Sequence, residues 1–173
     1  MTTVNPYIYF NGNCEEAFNF YKAVFRKEIT YIGRYKDVPN TDREIFEESN
    51  EKIMHITLPI SEETILMGSD NKEAHKESTA FNSFSLVIHT DNKVEADRLF
   101  NEISKNGQVK VPMNIAFWGS YYGICIDKFG VNWKISAEVK DGMGNVIANS
   151  ILKNEDATGN SIDMILKSRV DVD

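Results

Sequence analysis

The chain repeats itself, and that repeat limits its fold more than any other feature. Asn13 and Asn92, Glu16 and Glu95, and Ala17 and Ala96 are each separated by 79 residues. The same offset pairs Phe20 with Leu99, Tyr21 with Phe100 and Val24 with Ile103. Each set has the pattern of a helix start. Asparagine suits the N-cap, glutamate follows in the capping-box position, and apolar residues then recur at helical spacing. Around the first helix, residues 4–10, 29–35, 53–60 and 64–67 are rich in aromatic and β-branched residues and predict strands. Residues 84–90, 109–112, 121–126 and 131–136 do the same around the second. Asn11-Gly12 ends the first strand, Gly107 closes the second helix, and Asp127-Lys128-Phe129-Gly130 makes the last turn. The expected class is α+β, with two βαβββ modules in tandem over residues 4–70 and 82–136. A period this long marks a duplicated module, since solenoids use shorter and more numerous units.

Bulk properties exclude several classes. The 173 residues fit one domain of residues 1–136 plus an extension of 137–173. A net charge of −7 argues against wholesale nucleic-acid binding, which needs a basic face. No stretch approaches the roughly 18 consecutive apolar residues of a membrane helix. Met1-Thr2-Thr3 starts neither a basic nor a long apolar segment, so no signal peptide is expected and the location is read as cytoplasmic. Cys14 and Cys125 form no C-x-x-C pair and are read as reduced, buried thiols. The extension holds Val146, Ile147, Ile151, Leu152, Ile162, Met164, Ile165 and Leu166, enough large apolar residues to predict partial ordering against the domain or a partner subunit.

Several segments resemble one family. Residues 5–17 read Asn-Pro-Tyr-Ile-Tyr-Phe-Asn-Gly-Asn-Cys-Glu-Glu-Ala, with Phe20-Tyr21 and Val24-Phe25 behind them. Ile53-Met54-His55, Leu66-Met67-Gly68-Ser69-Asp70, Phe117-Trp118-Gly119 and Asp127-Lys128-Phe129-Gly130-Val131-Asn132-Trp133 follow in order. Over residues 4–136 this resembles the PhnB-like proteins of the vicinal-oxygen-chelate superfamily, which holds glyoxalases, bleomycin-resistance proteins and extradiol dioxygenases. The resemblance implies modules whose mostly antiparallel strands curl into a cup, and a homodimer. It also brings the label 3-demethylubiquinone-9 3-methyltransferase. Enzymes of the superfamily hold a divalent metal through His and Glu on the first and last strands of each module. Alignment on the helix starts and the Asp-x-x-Gly turn puts those four positions at Pro6, Met67, Ser85 and Lys134. That set is a poor metal-ligand set, so no metal is expected. No cofactor is predicted either: Gly142-Met143-Gly144 lacks the third glycine and the strand–helix setting of a nucleotide loop.

Strand alternation from these positions assigns faces. Pro6, Ile8, Phe10, Ser85, Val87 and His89 are expected in the cup, with Asn132 and Lys134, while Tyr7, Tyr9, Leu86 and Ile88 face the helices. His55, mid-strand among apolar residues, is the candidate acid/base, set against a buried histidine bonded to a backbone carbonyl. Phe10, Met67, Ser85, His89, Trp118, Tyr121 and Lys134 are the candidate ligand contacts. For His89 the competing role is strand-end capping, and for Trp118 and Tyr121 it is core or dimer packing. The expected function is binding of a small molecule without a metal. One alternative is an enzyme of the superfamily, or the labelled methyltransferase, with His55 as acid/base and Lys134 stabilising an anionic intermediate. The other is a protein-interaction module acting through the extension.

Overall fold

The computed structural model describes residues 2–37, 51–71, 84–116 and 120–139. It holds two compact units, Met1–Phe84 and Ser85–Asp173. Each is a four-stranded sheet with one helix packed on one face. In the first unit β1 (Tyr7–Phe10), α1 (Cys14–Phe25), β2 (Tyr31–Arg34), β3 (Ile53–Pro59) and β4 (Ile65–Asp70) give the sheet order β1-β4-β3-β2. In the second, β5 (Leu86–Thr90), α2 (Lys93–Ile103), β6 (Gln108–Ile115), β7 (Ser120–Ile126) and β8 (Asn132–Glu138) give β5-β8-β7-β6. The first and last strands of each unit pair in parallel and the other neighbours are antiparallel.

The helices form because one stripe of each is apolar. Cys14, Ala17, Phe18, Tyr21 and Val24 of α1 are buried, as are Ala96, Leu99, Phe100 and Ile103 of α2. Fully burying one such side chain stabilises by roughly 1.5–3 kcal/mol before ordering costs. The caps differ from each other. Asn92 Oδ1 accepts from Glu95 N at 2.9 Å, as its position predicts. Asn13 makes no side-chain cap bond. Asp70 of β4 does that work: its Oδ1 accepts from Gly12 N at 2.9 Å and Cys14 N at 3.0 Å. The Asp127 turn forms as expected, with Gly130 at φ +88° and Asp127 accepting from Phe129 N, Val131 N and the Trp133 indole.

One residue separates the repeat's helices from its first strands. Three positions lead from Phe10 to the cap Asn13, and only two from Thr90 to Asn92. Gly12, at φ +93°, absorbs the extra residue. The helices therefore repeat at 79 residues, but β1 and β5 repeat at 80: Ile8 pairs with Gly68 where Ile88 pairs with Ile135. A shift of one residue reverses which face a strand side chain occupies. The face assignment for β1 is thus overturned. Ile8 and Phe10 are buried on the helix side, with the Phe10 ring edge-on to Phe18, while Tyr7 and Tyr9 are exposed on the other. On β5 the assignment stands, with Val87 and His89 exposed.

Pro112 lies in β6, an edge strand, between register shifts, where a missing N–H costs little. The last strand extends to Glu138, two residues past the expected end. The ordering expected of the extension from residue 140 onward, the connectors around 38–50 and 72–83, and Trp118 fall outside the described residues. Among the described residues no helix is long and apolar enough to cross a membrane.

Four buried groups tie stability to alkaline pH. Burial pushes the Cys14 thiol up and the Cys125 thiol to about 12. Tyr121, whose hydroxyl donates to Asp97 Oδ1 at 2.5 Å, is also pushed up to about 12, chiefly by that bond. Burial raises Tyr35 as well. Each group keeps its proton to higher pH in the folded chain than at its ordinary value of 9.0 or 10.0. The folded state then binds more protons, so stability is full below that range and falls as pH rises through it. Denaturant midpoints should hold up to about pH 9 and decline toward pH 12. Tyr121→Phe should remove part of the decline above pH 10. A midpoint constant to pH 12 would contradict this assignment.

Candidate functional site

The face of each sheet opposite its helix collects the polar and aromatic side chains. On the first sheet the register places Tyr31 opposite Thr57, Gly33 opposite His55, Thr57 opposite Met67 and Tyr7 beside Met67. Tyr7, Tyr9, Tyr31, His55, Thr57, Met67 and Ser69 therefore share this face.

His55 sits at its centre, half-buried. Thr57 Oγ1 lies 3.0 Å from its Nε2 and Tyr7 Oη 3.2 Å from its Nδ1. The rings of Tyr7 and Tyr31 stand 5.6 and 5.8 Å from the imidazole, and Tyr9 is 5.1 Å beyond Tyr7. These tyrosines are substantially exposed, at 37% for Tyr7, 59% for Tyr9 and 52% for Tyr31. Both ring nitrogens of His55 bond to hydroxyls, not to the backbone carbonyl that a core histidine would use. A half-buried imidazole so held can give or take a proton without moving.

The second sheet presents Val87, His89, Tyr122, Ile124, Asn132, Lys134 and Ser136 on the corresponding face. His89 Nδ1 lies 2.8 Å from Ser136 Oγ, and the Lys134 ammonium stands 5.3 Å over the Tyr122 ring. Lys134 has no carboxylate partner among the described residues.

The predicted site residues divide accordingly. His55 and Met67 lie on the open face of the first sheet; His89 and Lys134 lie on that of the second. Ser85 is exposed just before β5. Phe10 and Tyr121 are corrections. Phe10 is 4% exposed against α1 because of the inserted residue, and Tyr121 is 9% exposed, on the helix side, tied to Asp97 with Lys93 Nζ 4.3 Å over its ring. Tyr122, its neighbour, takes the open face. Tyr7, Tyr9 and Tyr31 are exposed on this face without being among the residues the sequence points to. The three-against-two spacing between strand end and cap is the sequence signal that would have exposed the first two.

Residues 2–136 match the family described as 3-demethylubiquinone-9 3-methyltransferase. The chain belongs to this family. It is 28% identical over 140 residues to protein YjdN of Escherichia coli K12, covering 77% of this chain and 93% of YjdN. Protein PA1353 of Pseudomonas aeruginosa superposes with a TM-score of 0.68 at 31% identity, covering 79% of this chain and 98% of that one. A PhnB protein of Bacillus cereus, which carries the same methyltransferase description, superposes with a TM-score of 0.65 at 23% identity, covering 79% and 99%. The fold is shared with a glyoxalase/bleomycin resistance protein/dioxygenase family enzyme of Burkholderia phytofirmans PsJN, with a TM-score of 0.54 at 12% identity over 77% and 95% of the two chains. The fold is the glyoxalase/bleomycin-resistance fold.

The metal that the sequence resemblance implies does not suit the donors here. With the first strands offset by 80, the counterpart of Ser85 is Asn5 and not Pro6. Asn5 Oδ1 already accepts from Ile65 N at 3.0 Å. Met67, Ser85 and Lys134 complete the set, and an ammonium repels a cation. Among the described residues no group of three or more His, Cys, Asp or Glu is placed to hold a metal.

Proposed function

We propose that this PhnB-like chain binds a small organic molecule on the open face of its first sheet, without a metal. One observation carries the reading: His55, half-buried, is held at both nitrogens by Tyr7 and Thr57 and framed by exposed tyrosine rings. Apolar walls with a few convergent polar groups are the usual make-up of a small-molecule site. The open face of the second sheet, taken by itself, offers Lys134, His89 and Ser85 as contacts for a ligand, with Lys134 suited to an anionic group. The hydroxyl–imidazole–hydroxyl chain also favours a second reading, an enzyme in which His55 moves a proton. The methyltransferase description finds no support in a cofactor loop, and Gly142-Met143-Gly144 falls outside the described residues. A homodimer is the expected state, since both sheets leave edge strands to be covered.

Native mass spectrometry of the freshly purified full chain tests this reading. A dimer mass with a small-molecule adduct and no metal is expected, the adduct diminishing in His55→Ala. A stoichiometric transition metal, or an adduct indifferent to His55→Ala, would refute it.

A further inference from the structure

We propose that the ligand of the first sheet is an alkylated ammonium cation, held against the rings of Tyr7, Tyr9 and Tyr31. This rests on the ligand-binding reading above and adds the charge and chemical class of the ligand.

The hydrogen-bonding groups at the centre of this face are already in use. Tyr7 Oη engages one nitrogen of His55 and Thr57 Oγ1 the other. A ligand that bonded to the imidazole would first have to break one of these contacts. What stays open is aromatic surface. Tyr9, Tyr7, His55 and Tyr31 form a row with centroids 5.1, 5.6 and 5.8 Å apart and interplanar angles of 42°, 34° and 48°. Tyr9 and Tyr31, at its two ends, are more than half exposed.

Gly33 sets one end of the row. It lies opposite His55 on β2, an edge strand, where a glycine weakens pairing. Its φ is not positive, so no turn explains it. A Cβ on it would stand 2.8 Å from Tyr31 Oη and 3.1 Å from Tyr31 Cε1. The bare backbone lets the Tyr31 ring lie down along the strand beside His55 instead of standing away from the sheet.

Charge selects the class. The face of a phenol ring is the negative side of its quadrupole, and a cation within about 6 Å of the centroid is attracted to it. At the spacings of this row one cation can lie within that distance of two rings. The same faces repel an anion. Among the described residues no Lys, Arg, Asp or Glu is on this face by register. No cation of the chain therefore competes for the rings, and no carboxylate is there to hold a primary ammonium. A primary ammonium is strongly hydrated and brings three donors that need acceptors. Full alkylation removes those donors and leaves the charge. The net charge of −7 favours the approach of any cation.

The test titrates the full chain with choline, with its uncharged isostere 3,3-dimethylbutan-1-ol, and with ethanolamine, a primary ammonium of equal charge. Wild type should bind choline about tenfold more tightly than either of the others. Tyr9→Leu and Tyr31→Leu, which keep apolar bulk and lose the ring, should each weaken choline binding about threefold to fivefold. Tyr9→Phe, which keeps the ring, should stay within about twofold of wild type. Gly33→Ala, which lifts the Tyr31 ring without removing it, should weaken choline about as much as Tyr31→Leu. If ethanolamine matches choline, the acidic chain attracts cations at large and the inference is wrong. If the isostere matches choline, or the preference survives both leucine variants, these rings do not hold a cation and the inference is wrong, while the ligand-binding reading survives. If choline fails to bind at millimolar concentration but an adduct sensitive to His55→Ala co-purifies, the reading holds and the inference falls. If choline fails to bind and no adduct co-purifies, both fall. If a leucine variant changes the mass in solution, the rings are a contact between copies of the chain and the inference is overturned.

Discussion

Asp70→Ala is expected to lower the stability of the chain by roughly 3–5 kcal/mol, and Asp70→Asn by about half as much or more. The Asp70 side chain is 3% exposed and joins three elements. Its Oδ1 takes Gly12 N and Cys14 N at the head of α1, and its Oδ2 takes Ile53 N at the start of β3 at 2.9 Å. Alanine leaves these donors without their acceptor, each worth about 1–3 kcal/mol when buried and unmet. Asparagine keeps one oxygen and turns an amide N–H toward a backbone N–H whichever way it flips, so it cannot serve both sides. Small domains are stable by about 5–15 kcal/mol, so such a loss is a large share. Urea denaturation of the two variants beside wild type measures it. A midpoint for Asp70→Ala within experimental error of wild type would show that α1 does not depend on this carboxylate.

The sequence carried the plan of the fold because the apolar periods are strong. The helix stripes and all eight strands fall where alternation and caps place them, within one to three residues at most ends. It failed where one residue decides a face. Phe10 reads as a ligand contact only when the 79-residue helix offset is carried into β1, across a loop longer by one residue than its counterpart. Tyr121 and Tyr122 are adjacent, and only the register of β7 on β8 says which of them joins the helix. Asn13 has the residue type and spacing of a cap, yet its role passes to Asp70, which is 57 residues away and invisible to local pattern. The candidate site itself was half legible. His55 stands out as a titratable group in an apolar strand, but its partners Tyr7 and Tyr31 come from other strands, and pairing is a long-range choice.

Gly107→Ala is the second change with a large expected effect, roughly 2–4 kcal/mol, and it separates two reasons for a glycine after a helix. The common reason is a left-handed backbone closing the last turn. Here that conformation falls to Asn106, at φ 59°, while Gly107 does not have a positive φ. Gly107 is needed for room. A Cβ on it would stand 2.1 Å from Ile126 O and 2.9 Å from the Asp127 carbonyl carbon, both backbone atoms. Those atoms belong to the end of β7 and to the turn that Asp127 holds through Phe129 N, Val131 N and the Trp133 indole, so the turn cannot yield without losing buried hydrogen bonds. Asn106→Gly, by contrast, removes a side chain from a left-handed position and should change stability by less than about 1 kcal/mol. Denaturant midpoints of the two variants decide the matter. If Asn106→Gly moved the midpoint more than Gly107→Ala, conformation and not close approach would explain the glycine that follows α2.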